Sequence, residues 1–251
     1  MVKILMHGCN GAMGQVISSI VQQDKDAQIT AGVDITGVQK NDYPVFTSLE
    51  DCKEEVDVII DFASAKAVDH LLDYSKEHKI PVVLCTTGLS EEQIKKVGET
   101  SKETAVLRSA NMSLGINLLL KIVQEAAKIL AAADFDIEIV EKHHNQKIDA
   151  PSGTALALAD SINDALDQAY HYKYDRSAER VKRDKKEIGI QAVRGGSIVG
   201  EHDVIFAGRD EVITFQHTAY SKAIFGKGAV AAAKFLKGKE PGLYNMSHVI
   251  G

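Results

Sequence analysis

Through the first part of the chain, short apolar runs alternate with stretches of helical periodicity. Residues 2–6 and 29–33 are apolar runs of strand length, the second ending at Asp34. Between them Met13, Val16, Ile17, Ile20 and Val21 recur at the spacing of one helix face. Residues 56–62 are rich in β-branched side chains with almost no polar interruption, the pattern of a strand covered on both faces. The alternation continues with a helix over 65–77 opened by Ser64 and a strand over 80–85. A helix over 91–102, with Ser90 as its N-cap, and a strand over 105–109 follow. Such a series predicts an α/β fold, a parallel sheet with helices on both faces.

After Asn111 the pattern changes. Residues 116–133 read as one long helix, and 135–141 alternate apolar and acidic residues like a half-exposed strand. A helix is expected over 153–169. Residues 188–219 read as an antiparallel meander: strands at 188–193, 198–207 and 212–219, with turns at Gly195-Gly196 and 208–211. Residues 171–187 mix Lys and Arg with acids; the partial cancellation favours a solvated loop over a phosphate-binding patch. The last helix is expected over 228–236, before a short tail.

Composition narrows the class. A chain of 251 residues with 45% hydrophobic and 25% charged residues is long enough for one large or two modest globular domains. The net charge of −6 argues against non-specific nucleic-acid binding, and no apolar run approaches the roughly 20 residues needed to span a bilayer. Cys9, Cys52 and Cys85 are few and scattered, with neither metal spacing nor a disulfide framework. The opening Met-Val-Lys-Ile-Leu-Met-His-Gly is too short for a secretory signal. No metal site is expected, and a reducing cytoplasm is the expected location.

Gly8, Gly11 and Gly14 form a Gly-x-x-Gly-x-x-Gly variant of the dinucleotide fingerprint, between an expected strand and an expected helix. Glycine there permits a tight turn and lets backbone N–H groups at a helix start approach a pyrophosphate. The turn residues Gly8, Cys9, Asn10, Gly11, Ala12, Met13 and Gly14 are therefore cofactor candidates. Asp34 lies twenty residues beyond Gly14, where a carboxylate can bind adenosine ribose hydroxyls. It is followed by Ile35, so no Arg adjoins it to meet a 2′-phosphate, which favours NAD over NADP; Lys40 in the following loop is the other candidate for that phosphate. Cys85-Thr86-Thr87 and Ser109-Ala110-Asn111-Met112 sit at strand ends, where they either line the cofactor cleft or make ordinary turns.

Residues 141–155 read Glu-Lys-His-His-Asn-Gln-Lys-Ile-Asp-Ala-Pro-Ser-Gly-Thr-Ala. His143 and His144 are neighbours, so an extended chain points them to opposite sides and a shared metal is disfavoured. Lys147 can neutralise a carboxylate, and the N–H groups of a helix starting at Ser152-Gly153-Thr154 attract an anion. Ser152 is either a helix cap or part of that grip. The assembly suits an enzyme that holds a substrate with more than one carboxylate and supplies a proton near neutral pH.

This segment closely resembles the signature of the 4-hydroxy-tetrahydrodipicolinate reductase (dihydrodipicolinate reductase) family. Gly-Cys-Asn-Gly-Ala-Met-Gly, Cys-Thr-Thr-Gly, Ser-Ala-Asn-Met-Ser-Leu-Gly and Arg-Gly-Gly-Ser-Ile-Val-Gly-Glu-His resemble further family segments, in order along nearly the whole chain. The resemblance implies hydride transfer from NADH or NADPH to a cyclic dicarboxylate, giving tetrahydrodipicolinate. It implies His143 as general acid with Lys147 assisting, and His144, Ser152, Gly153 and Thr154 on the carboxylates. It also implies a Rossmann-like nucleotide-binding domain over 1–113 and 225–251. Residues 114–224 would be a mixed α/β domain that binds substrate and builds a homotetramer. Cys85 stands where many members have glycine, and Asp34-Ile35 replaces an acid–Arg pair seen in some, so NADH use with NADPH accepted less well or comparably is expected. Two other readings share part of these features. One is a dehydrogenase of an acyclic amino acid, which has no need of the His-His-Lys cluster. The other is a non-catalytic nucleotide sensor, which has no need of the proton donor.

Overall fold

The structure, a computed structural model, describes all residues from Met1 to Gly251. It divides into two compact units, Met1–Leu114 with Lys222–Gly251, and Gly115–Ser221.

The first unit is built on a parallel sheet. Its strands are β1 (Val2–His7), β2 (Ala27–Val33), β3 (Val45–Phe46), β4 (Val58–Asp61), β5 (Val82–Leu84), β6 (Ala105–Arg108) and β12 (Gly242–Tyr244). They lie in the order β12-β6-β5-β4-β1-β2-β3, with every pairing parallel. The sheet is apolar on both faces because each face is covered. Ile4, Met6, Val58 and Ile60 pack under helices α1 (Ala12–Gln22) and α6 (Ala223–Leu236). Leu5 and Ile59, one residue out of phase, pack under α2 (Ala65–His78) and α3 (Glu91–Thr100). Helix α3 starts where the sequence places it: Ser90 Oγ accepts from the Gln93 N–H, and Gln93 reaches back to the Ser90 N–H.

The expected strands and helices of this unit are present; β4, β5 and β6 are shorter than expected by one to three residues, β1 and β2 are longer by one and two, and α6 begins five residues earlier. Three elements carry no signal strong enough to read in advance. Strands β3 and β12 are only two and three residues long, and helix α7 (Met246–Ile250) is five. The residues after α6, expected as a tail, thus add a strand beside β6 and a helix that buries Met246.

The second unit contains α4 (Leu114–Leu130, all but its first residue), β7 (Asp136–His143), α5 (Gly153–Ala165), β8 (His171–Lys173), β9 (Glu187–Arg194), β10 (Gly200–Ala207) and β11 (Val212–Ala219). The strand order is β11-β10-β7-β9-β8. This corrects the expected meander: β10 and β11 form an antiparallel hairpin, but β9 does not pair with β10. Strand β7 lies between them, parallel to β9 and antiparallel to β10. Turn residues mark where a strand ends and not which strand it joins, so the insertion of β7 was invisible locally. Residues 171–187 are also more than a solvated loop. They include β8, and Arg183 donates to Glu138 Oε1 at 2.9 Å, Asp136 Oδ1 at 3.0 Å and the Ile137 carbonyl at 2.8 Å.

Ile137, Ile139, Ile188, Ile190, Val204 and Phe206 form one face of this sheet, covered by α4 and α5. Period-two alternation carries that face onward to Glu141 and His143 on β7, Arg194 on β9, and His202 and Gly200 on β10. The apolar core of the unit therefore runs directly into a polar cluster.

Candidate active site

In the first unit, the turn between β1 and α1 borders a cleft of about 350 Å³ lined by His7, Gly8, Gly11, Asp34, Ala63 and Ser64. Gly8 has φ +81°, a left-handed conformation that favours glycine. Gly14 is required by space: a Cβ there would lie 2.3 Å from the Gly8 carbonyl oxygen and 2.5 Å from that of Cys9. Helix α1 begins after Gly11, whose missing side chain leaves its start without a side-chain cap. The N–H groups of Ala12, Met13 and Gly14 are thus the ones a bound anion would meet.

The other turn groups are engaged within the protein. The Gly8 N–H donates to the Val33 carbonyl and that of Gly11 to the Gly8 carbonyl. The Cys9 side chain is fully buried in the core, and burial with the nearby Asp34 charge pushes its thiol up to about 11. The Asn10 N–H donates to Asp34 Oδ2 at 3.1 Å. Asp34 Oδ1 accepts from the Thr36 N–H at 3.2 Å and its hydroxyl at 3.0 Å. Burial would raise the Asp34 carboxyl, but these donors outweigh it and hold it below the usual carboxylate value. Ile35 beside it is 94% exposed, and Lys40 Nζ donates to the Asn10 carbonyl at 3.2 Å.

At the ends of β5 and β6, the Cys85 N–H is taken by the Asp61 carbonyl, whereas Thr86 Oγ1 is buried without a partner. Thr87 is exposed. Ser109 is half-buried and Ala110 exposed; Asn111 Oδ1 accepts from the Ser113 N–H, and the Met112 side chain lies in the core.

In the second unit, His143 ends β7 with its imidazole half-buried, and His144 turns out to solvent. His143 Nδ1 lies 2.6 Å from Glu141 Oε2, and no protein group meets its Nε2. The turn after β7 is fastened to the turn after β9: the Gly195 N–H donates to the His143 carbonyl and the Asn145 N–H to the Gly196 carbonyl. Lys147 Nζ pairs with Asp149 Oδ1 at 2.8 Å. Gly153 opens α5, is exposed, and has nothing within 4 Å of where a Cβ would stand. Thr154 follows in the first turn, half-buried.

Ser152 is committed to the interior. Its Oγ accepts from the Ala155 N–H at 3.1 Å and meets His202 Nε2 at 2.9 Å, and its N–H donates to Glu141 Oε1 at 2.9 Å. It is the cap of α5, and its hydroxyl and N–H are both engaged within the protein. His202 is 5% exposed; burial first, then the neighbouring His143, lowers it to about 4, so it is neutral at pH 7. Its ring meets that of His143 edge-on at 5.1 Å.

Three residues of this cluster had no role assigned from sequence: Glu141, Arg194 and His202. Arg194 grips the Glu141 carboxylate with both terminal nitrogens, each at 2.6 Å. One signal was available: Glu141 continues the phase of Ile137 and Ile139, which places an acid on the core face of a strand. Chemically, the unit presents a histidine anchored at one nitrogen and open at the other. A lysine and a helix start are on the same short segment. Such an arrangement is able to donate a proton beside groups suited to carboxylates.

Family profiles described as "Dihydrodipicolinate reductase, N-terminus" and "Dihydrodipicolinate reductase, C-terminus" match residues 2–112 and 115–250. A relative from Caldanaerobacter subterraneus subsp. tengcongensis, named 4-hydroxy-tetrahydrodipicolinate reductase, is 53% identical over 100% of this chain and 98% of its own. One of the same name from Clostridium tetani is 49% identical over 98% and 96%. Among solved structures, the fold resembles a "Dipicolinate bound Dihydrodipicolinate reductase from Paenisporosarcina sp. TG-14" with a TM-score of 0.81 and 23% identity, over 98% of this chain and 97% of that one. By the two profiles and these full-length identities, the chain belongs to the dihydrodipicolinate reductase family.

Proposed function

We propose that this chain reduces 4-hydroxy-tetrahydrodipicolinate to tetrahydrodipicolinate in the diaminopimelate route to lysine, with a nicotinamide cofactor as electron source. The overall change removes the ring hydroxyl as water and adds one hydride and one proton across the resulting carbon–carbon double bond. When bound, the reduced nicotinamide supplies the hydride.

His143 supplies the proton, from Nε2, to the ring carbon next to the hydride acceptor. The observation that carries this role is the ring itself, engaged through Nδ1 and open at Nε2, on the segment that leads into the α5 start. Lys147 exchanges Asp149 for the substrate and stabilises negative charge as it develops, which raises the rate as far as it favours the transition state over the ground state. His144 and the α5 start at Gly153 and Thr154 grip the carboxylates. Ser152 serves this grip as cap.

The residues of the first unit suit a dinucleotide. An uncapped helix start faces the phosphates, and Asp34 keeps acceptor capacity for ribose hydroxyls. The Thr86 hydroxyl is a buried polar group in want of a partner. The negative charge at Asp34 and the apolar Ile35 favour NADH, with NADPH accepted less well or comparably; a kcat/KM for NADPH more than tenfold above that for NADH would sink this preference.

A homotetramer is proposed on the strength of the edge strand β11, eight residues long and paired on one side only. Light scattering should then give four times the 27.2 kDa chain mass. A cytoplasmic location accords with three free cysteines, and no helix is long and apolar enough to cross a membrane.

The test of function supplies enzymatically generated substrate with NADH and follows loss of the reduced nicotinamide absorbance. Wild-type protein should turn over. His143→Gln should lower kcat by about 10²–10⁴ with a smaller change in KM, since it removes a group acting in the transition state. Absence of wild-type turnover rejects the reading, and full activity of Lys147→Ala rejects the role of Lys147.

A further inference from the structure

We infer that Glu141 is a positioning residue, which fixes the His143 ring with a proton on Nδ1, leaves Nε2 as the nitrogen that gains and gives the proton, and ties that ring to the start of α5. The inference rests on the reading of His143 as proton donor.

The Glu141 side chain is completely buried, yet four donors converge on it. Oε2 meets His143 Nδ1 and Arg194 Nη1, both at 2.6 Å. Oε1 meets Arg194 Nη2 at 2.6 Å and the Ser152 N–H at 2.9 Å. Burial would raise the carboxyl, but Arg194, His143 and the Ser152 N–H outweigh it and hold it below its usual value. An ionised carboxylate only accepts, so the hydrogen at His143 Nδ1 has to belong to the imidazole. Neutral His143 is then the Nδ1–H tautomer, and a second proton goes to Nε2, the nitrogen without a protein partner. The carboxylate thus defines which nitrogen gains and gives the proton.

Sheet register builds this arrangement. Glu141 stands opposite His202 on β10, and His143 stands opposite Arg194 on β9. The charged and titratable groups around His143 are Glu141 on its own strand, Arg194 on β9, His202 on β10 and Lys147 on the following turn. His217 on β11 lies beyond His202. Glu141 is the one anion that touches the ring. Arg194 balances the carboxylate and also holds the Asp149 carbonyl at 2.6 Å, beyond Lys147. A buried ion pair is weak grounds for stability, because apolar side chains of similar volume often do as well. An acid that binds the donor ring and the α5 N-cap together has a further use: it fixes the donor relative to the carboxylate grip.

Glu141→Gln separates this role from a structural one. The Oε1 position takes two donors, the Ser152 N–H and Arg194 Nη2, so the amide oxygen is needed there and the amide nitrogen turns toward His143 Nδ1 and Arg194 Nη1. That reverses the tautomer and removes one of the two Arg194 contacts. The expected result is a kcat at least about 100-fold lower, with KM for the dicarboxylate within about threefold. Replacing the carboxylate of a carboxylate–histidine pair by its amide costs up to about 10⁴-fold in a well-measured case. A rise in KM that parallels the loss in kcat would overturn the proposal.

Wild-type protein carries an independent measurement that needs no Glu141 variant. With nitrogen-15 histidine and His143→Gln for assignment, neutral His143 should show the Nδ1–H tautomer, and the Nε2–H tautomer would overturn the proposal. This reading holds whether or not the enzyme turns over the dicarboxylate, so failure of the reaction and failure of the Glu141 role are distinguishable.

Discussion

The two units each offer a helix start to an anion, and they prepare it in opposite ways. Helix α1 has no side-chain cap, and Gly8, Gly11 and Gly14 let the turn before it pack closely on its first residues. Helix α5 is capped by Ser152, and behind the cap lies a buried set of Glu141, Arg194 and His202. The first site is made of backbone and suits a group common to many cofactors, the pyrophosphate. The second is made of side chains held by one another and suits a particular reaction. Changes at the first should therefore act through shape, and changes at the second through charge and proton position.

The largest expected effect is at the backbone site. Gly14→Ala would put a Cβ 2.3–2.6 Å from backbone atoms of Gly8 and Cys9, none of which can swing aside. A loss of roughly 3 kcal/mol in stability is expected, at or above the upper end of ordinary overpacking. NADH affinity by fluorescence titration should fall at least tenfold. Binding of a planar cyclic dicarboxylate such as dipicolinate to the folded variant should change little. An unaltered NADH affinity would break the shape half of the comparison.

This contrast also explains what was legible. Glycine spacing, a following apolar helix face and an acid at the next strand end are local signals, and β1, α1, β2 and Asp34 lie where those signals place them. The strand order of the second sheet was not legible, because β7 enters between β9 and β10, which are consecutive in sequence. The same long-range pairing hid the polar cluster. Arg194 and His202 bound one family-like segment and Glu141 opens another, but only register brings the three together, and neither segment shows that it meets the other. His143, Lys147 and Gly153 could be picked out because a single short segment carries them all. Ser152 could be read either way, as cap or as ligand, and only the partners of its Oγ and N–H decide for the cap.

The next effect sharpens the charge half. His202 stays neutral in the folded protein down to about pH 4, whereas an unfolded chain protonates it near 6.5. Between these values the unfolded state binds more protons, so stability falls as pH drops from 6.5 to 4 and is fully present above 6.5. The shift corresponds to about 3 kcal/mol at the lower end. His217, lowered by burial, acts in the same direction. Denaturant titrations of wild type and His202→Asn should show a wild-type advantage that shrinks across this window. A constant difference from pH 7 to pH 4 would mean that His202 is not the group responsible.

Ser152→Ala tests the cap that α1 lacks. It should cost about 1–2 kcal/mol, the ordinary range for a lost N-cap, with KM for the dicarboxylate nearly unchanged. A large rise in KM with stability intact would instead make Ser152 a substrate ligand.

The smallest expected effect lies at Gly200, where shape and proton position meet. Gly200 faces His143 across the β7–β10 pairing, and a Cβ there would stand 3.2 Å from Nε2 and 3.5 Å from Cδ2 of that ring. These contacts are tight but not prohibitive, because an imidazole can shift by a few tenths of an ångström. Its Nδ1 is held by Glu141, so the shift becomes a small rotation that moves Nε2 and leaves the anchor in place. A misplacement of about 1 Å in a reacting group can cost about 100-fold, so a few tenths should lower kcat of Gly200→Ala by roughly three- to tenfold. Stability should fall by no more than about 1 kcal/mol, and KM should hold, since the start of α5 is untouched. An unchanged kcat would show that the position of Nε2 is less tightly required than the Glu141 anchor implies. A rise in KM without loss of kcat would place His143 among the binding groups and remove it as proton donor.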